Sequence, residues 1–179
     1  AFIKTVDPEV AEGIVKQEYD KGIHRSGRVF NILKIMSLSP AALKESMRMY
    51  LAIMYGERTV TGPAGNAGNS GVPGEPLLLL IEAHGDDFRD EVKDEEKAHH
   101  LKHDWQTTDL SKEDKALCSW AVKLTLTPAE MVESDVRDLE AFGFSQNAIS
   151  DAAQVISYFN YINRIADGLG VDLEPEMEK

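Results

Sequence analysis

The chain has one cysteine, Cys118, so no disulfide can form within it, and a lone thiol in 179 residues fits a reducing compartment. Positive charge is scarce. Lys and Arg total 19 against 31 Asp and Glu, a formal net charge of −12. A surface this acidic repels phosphate backbones and anionic headgroups, which argues against nucleic acid and membrane as partners. Long apolar runs are missing too: nothing approaches the ~20 residues needed to cross a bilayer, and the opening AFIKTVDPEV lacks the apolar core of a signal peptide. Cytoplasmic localisation is the expectation. No Gly-rich phosphate loop followed by Lys-Ser or Lys-Thr occurs, so no nucleotide cofactor is expected.

What is present is helical periodicity. With 42% hydrophobic residues the chain can build one sizeable core, and a single domain over 1–179 is expected. Asp7-Pro8 signals a helix to about Gly22 with Val10, Ile14, Val15 and Tyr19 on one stripe. A short apolar segment covers Val29 to Met36. Ser39-Pro40 opens a helix through Met54, with Leu43, Met47, Tyr50, Leu51 and Met54 on one face. Helical patterns also cover Leu77 to about Val92 and Asp94 to Trp105. Ser111 with Asp114 resembles a capping box and starts a helix through about Leu124. Thr127-Pro128 starts another, closed by Gly143. Ser145 begins the longest, in which Ile149, Ala152, Ala153, Ile156, Phe159, Tyr161, Ile162, Ile165 and Ala166 make a broad apolar face. About eight helices and no confident strand predict an all-α bundle.

One segment breaks this pattern. Gly62 to Pro76 reads as five Gly-x-y triplets and runs straight into Leu77-Leu78-Leu79-Leu80. Five triplets are too few for a stable collagen-like helix and lack its proline content. The plain reading is a surface loop followed by a buried helix start.

Several strings resemble the peroxidase-related branch of the carboxymuconolactone decarboxylase and alkylhydroperoxidase D family. They are Asp104-Trp105-Gln106-Thr107, Leu110-Ser111-Lys112-Glu113-Asp114-Lys115-Ala116-Leu117, Ala121-Val122-Lys123-Leu124-Thr125, and Tyr158-Phe159-Asn160-Tyr161-Ile162-Asn163-Arg164-Ile165-Ala166-Asp167-Gly168-Leu169-Gly170-Val171. Tyr55-Gly56 and Glu82-Ala83-His84-Gly85 fit the same pattern. The resemblance implies an all-helical homo-oligomer that needs no bound cofactor or metal. Its substrate would be a small peroxide, reduced by Cys-x-x-Cys-x-x-x-His and re-armed by an external dithiol, with a glutamate twelve residues before the first cysteine.

Counting back from His84 places the cysteines at 77 and 80 and the glutamate at 65, where the sequence reads Leu77, Leu80 and Gly65. Positions 77, 80 and 84 share one face of a helix. A histidine there could take a thiol proton; the thiolate would attack a peroxide oxygen, and the resulting sulfenic acid would condense with a second thiol. Leucine does none of this. A hypothesis of a shifted reading frame between two compensating indels restores the motif: if Gly65-Asn66 are encoded GGA-AAT-G and the four leucines CTG-CTA-CTA-CTG, re-reading from the second base of each codon gives Glu-Met and Cys-Tyr-Tyr-Cys, in phase with the surviving Ile81-Glu82-Ala83-His84-Gly85. Taken literally, the sequence instead describes a catalytically silent helical oligomer that binds or assembles. A decarboxylase or lactone-ring activity rests on the wider family name alone.

Other clusters have plainer readings. His99, His100 and His103 lie on a charged segment with Glu95 and Glu96, and His99 with His103 has metal-ligand spacing, but no third ligand follows at a defined interval. A solvated face explains them. Cys118 beside Trp120 reads as a small core residue with a raised pKa. Asn160, Asn163 and Arg164 interrupt an apolar helix, where they either satisfy buried backbone or cross a subunit boundary.

Overall fold

The computed structural model describes residues 1–55 and 105–174. Within them the backbone is helical, with six α-helices, two short 3-10 turns and no strand, as the periodicity predicts. The helices are α1 (Gly13–Ser26), α2 (Asn31–Ile35), α3 (Pro40–Tyr55), α4 (Lys112–Leu126), α5 (Glu133–Ala141) and α6 (Gln146–Leu169). Two compact units divide the chain. One comprises Ala1–Gly56 with Ile162–Lys179, the other Glu57–Tyr161, and α6 contributes to both.

In the first unit, α1 buries Val15, Glu18, Tyr19 and Gly22, a three-and-four spacing that turns one stripe inward. This stripe differs from the expected one. Val10 is exposed because it lies in the 3-10 turn Pro8–Val10, outside the helix, and Ile14 is turned toward solvent. Gly22 does not end α1 either. It sits inside the helix, where an added Cβ would come within 3.0 Å of Leu33 Cδ1, so the glycine permits the close approach of α2. The helix ends at Gly27, whose left-handed backbone directs its N–H to the Ile23 carbonyl at 2.7 Å.

Helix α1 packs on α3, whose Leu43 is fully enclosed. Burying such a side chain contributes about 2–3 kcal/mol. Farther along α3 the predicted face thins out: Met47, Tyr50 and Met54 are half-buried, and Leu51 is exposed. The N-terminal strand of chain is tied down by polar contacts. Tyr19 donates its hydroxyl to the Val6 carbonyl, and the Val6 N–H donates to Ser37 Oγ, both at 2.9 Å.

The described residues of the second unit include α4, α5 and the first two-thirds of α6. Ser111 caps α4 as its spacing predicts, accepting the Asp114 N–H at 3.0 Å. Leu117, Trp120 and Ala121 of α4, Leu139 of α5, and Ala148, Ile149, Ala152 and Ile156 of α6 form one apolar cluster. The α4 and α6 sets recur at three or four residues, so each of these two helices turns a stripe into the same core. Ser145 starts α6 by accepting the Ala148 N–H at 3.1 Å. Tyr161, expected on the apolar face, is exposed; Val155 and Tyr158 are buried instead. At the end of α5, Gly143 takes a φ of 93°, its N–H bonds to Glu140 and that of Phe144 to Leu139. These two bonds satisfy the last carbonyls of the helix, and the left-handed turn between them is why glycine stands there.

Candidate functional site

The four positions singled out for redox chemistry, Gly65, Leu77, Leu80 and His84, lie outside the described residues, as do His99, His100 and His103. The described residues therefore bear on the site by showing which chemistry they can and cannot supply.

Cys118 is the one thiol in the chain, and it supplies none. It lies on α4 with its side chain buried. Burial pushes its pKa up to about 12, and the nearby Asp114 carboxylate adds to the rise. At neutral pH such a thiol holds its proton, and a protonated thiol is neither a nucleophile nor a metal ligand. The expectation from sequence, a small core residue, is correct for this position.

Trp120, two residues on, projects from a different face of α4 into the apolar cluster. Its indole N–H is buried and has no hydrogen-bond acceptor among the described residues.

Among the polar residues of α6, Asn160 donates from Nδ2 to Thr125 Oγ1 at 3.1 Å, pinning α6 to α4 in the second unit. Asn163 is buried and Arg164 is exposed. The Asn160 bond goes to a side-chain hydroxyl and not to the buried backbone expected from the sequence.

One residue escaped the sequence reading. Glu18 is almost wholly buried on α1, with Lys21 Nζ 2.6 Å from its Oε1. The signal was present: 15, 18, 19 and 22 fall on one helical stripe, and Glu18 occupies an inward position of it. A buried carboxylate needs a partner, and the exposed Lys21 one turn later supplies it. Tyr19 beside it has its hydroxyl pKa raised, chiefly by burial, with Asp7 adding to the rise and Ser37 opposing it. Tyr19 and Ser37 tie the N-terminal segment into the first unit through Val6.

No group of three or more His, Cys, Asp and Glu able to hold a metal ion occurs among the described residues. None of the helices there is long and apolar enough to cross a membrane.

Comparison with solved structures places these helices. A structure from Ralstonia eutropha JMP134, described as an alkylhydroperoxidase AhpD core and an uncharacterized peroxidase-related protein, superposes with a TM-score of 0.80 at 17% identity, covering 98% of this chain and 93% of that one. The fold is alkylhydroperoxidase D-like. A second match, an uncharacterized peroxidase-related protein from Silicibacter sp. TM1040, gives a TM-score of 0.79 at 22% identity, over 97% of this chain and 93% of that one. A third is a cysteine-to-alanine variant of the debrominase Bmp8 in complex with 2,3,4-tribromopyrrole, with a TM-score of 0.79 at 13% identity over 99% of this chain and 94% of that one. No protein-family model and no curated protein matches the sequence.

Proposed function

We propose that the protein is a peroxidase-related oxidoreductase whose reactive positions are 77, 80 and 84, read in the frame that places cysteine at the first two. The observation that carries this reading is the alkylhydroperoxidase D-like fold, with matches named as peroxidase-related covering nearly the whole chain. It is supported by Ile81-Glu82-Ala83-His84-Gly85, which keep the family spacing on the far side of the anomalous tract.

In that frame the steps balance without a cofactor. The thiol at 80 passes its proton to His84 and attacks one oxygen of a peroxide. The O–O bond breaks, the leaving oxygen takes up a proton and departs as water or alcohol, and the sulfur is left as a sulfenic acid. The thiol at 77, one turn away, displaces water from that sulfenic acid to form a disulfide, which an external dithiol reduces. The glutamate at 65 serves the proton relay. A homo-oligomer in the cytoplasm is the setting we propose.

The residues as printed favour a second reading. Leu77 and Leu80 cannot be oxidised or attack peroxide, and a chain that carries them is a silent assembly module with the same fold. The two readings separate on a thiol count with the purified protein. Titration in denaturant yields three thiols for the enzyme and one for the module, while in native buffer Cys118 stays unreactive in either case. An uninterrupted DNA frame encoding Gly62 to Leu80, together with a single titratable thiol, overturns the enzyme reading. A substrate panel of hydrogen peroxide, an organic hydroperoxide and 2,3,4-tribromopyrrole then distinguishes peroxide reduction from the dehalogenation named for the third structural match.

A further inference from the structure

Helix α2 is five residues long, far below the length at which a helix holds itself together in water. It also begins badly. Its N-cap is Phe30, in extended conformation, with no side-chain acceptor for the free N–H groups of the first turn. The missing acceptor comes from the other end of the chain. Glu174 Oε1 accepts the Asn31 N–H at 2.5 Å, and the Glu174 side chain is buried there.

The contact is reciprocated. Asn31 donates from Nδ2 to the carbonyls of Asp172 at 3.1 Å and Leu173 at 3.3 Å, so backbone and side chain of one residue clasp three successive residues of the tail. Asn31 Oδ1 in turn accepts from Lys34 Nζ at 3.1 Å, which steers the amide so that its nitrogen faces the strap. A carboxylate at this place is also favoured by the partial positive charge of the helix start.

We propose that Asp172–Glu174 form a latch for α2. The strap supplies the N-terminal cap that Phe30 cannot, and when it releases, α2 opens as one local unit together with the apolar residues it buries, Leu33 and Ile35. The latch is distant in sequence from what it holds, so it acts only in the folded chain and can open without unfolding the second unit.

Hydrogen exchange on the full chain tests this. Glu174→Ala removes the acceptor, and the amides of Leu33, Lys34 and Ile35 are expected to exchange roughly tenfold faster while those of Lys112–Leu126 are unchanged. Asn31→Ala breaks the clasp from the helix side and is expected to give the same local pattern. Glu174→Gln keeps an oxygen acceptor and is expected to recover part of the protection. Unchanged exchange over Leu33–Ile35 in both alanine variants overturns the latch. So does an equal rise across Lys112–Leu126, which would show that the contact only adds to global stability.

Discussion

Two segments, one in each unit, repeat the same local construction. Pro8 and Pro128 each open a three-residue 3-10 turn, Pro8–Val10 and Pro128–Glu130. The next residue is extended in both, Ala11 at φ −65°, ψ 138° and Met131 at φ −65°, ψ 132°. Then follow Glu12 at −131°, 167° and Val132 at −134°, 165°, and a helix begins five residues after each proline, at Gly13 and Glu133. Proline pre-sets the first turn, but a turn is not yet a helix. In each segment the extended pair drops a side chain inward, Ala11 fully and Met131 in part, and the real helix starts beyond it. The start signal in the sequence was genuine and misplaced by five residues.

The largest effect is expected where both helices anchor. Tyr19 and Leu139 each stand eleven residues after their proline, and each is 1% exposed. Leu139→Ala is expected to cost about 2–5 kcal/mol and Tyr19→Ala a similar amount or more, read by denaturant unfolding. If either variant lost less than about 1 kcal/mol, the eleventh position would not be the anchor of the repeated construction.

The segments differ in how the anchor is used. Leu139 is held by packing alone, whereas Tyr19 also donates to the Val6 carbonyl. Tyr19→Phe keeps the ring and removes that bond, so about 1 kcal/mol is expected to go with it. Their entries differ as well. Asp7 accepts the Glu9 N–H at 2.8 Å, while the Thr127 hydroxyl is turned back to the Lys123 carbonyl, at 3.4 Å, because Thr127 also closes α4. Asp7→Ala is expected to cost about 1 kcal/mol and Thr127→Ala a few tenths, roughly the spread between a true cap and a long side-chain contact. Equal losses from the two would break the comparison.

Legibility followed the range of the forces involved. The Ser111 cap, the Gly143 stop and the long α6 were readable because each depends on neighbours within four residues. Burial of Glu18 and exposure of Tyr161 depend on which elements lie against a helix face, and hydropathy ranks both residues the wrong way. The cap of α2 was unreadable for the same reason, since its acceptor, Glu174, is 143 residues distant. The fold class came from periodicity summed over many positions, which survives such local errors. At the candidate site the inert nature of Cys118 was legible, because one thiol on an apolar stripe has few alternatives, while Gly65, Leu77, Leu80 and His84 rest on spacing and resemblance.

The smallest effect concerns the third residue of each helix. In α5 this is Asp135, which accepts the Val132 N–H at 2.8 Å and both Lys123 contacts, at 2.7 and 2.8 Å; in α1 it is Val15, which can do neither. The bond from Lys123 first, and then that from Val132, holds the Asp135 carboxyl below its ordinary pKa. A depressed folded pKa means that the unfolded chain binds the proton more readily, so the contribution is complete above the ordinary carboxylate value of about 4 and is lost as pH falls below it toward the folded value. Asp135→Asn is expected to lower Tm slightly at pH 7, less at high salt because Lys123 is partly exposed, and the difference from the parent is expected to vanish as pH falls below about 4. Val15→Asn in α1 gives no such pH-dependent difference. A gap between parent and Asp135→Asn that stayed constant down to pH 3 would mean that the carboxylate acts by shape and not by charge, and the contrast between the two helix starts would lose its electrostatic half.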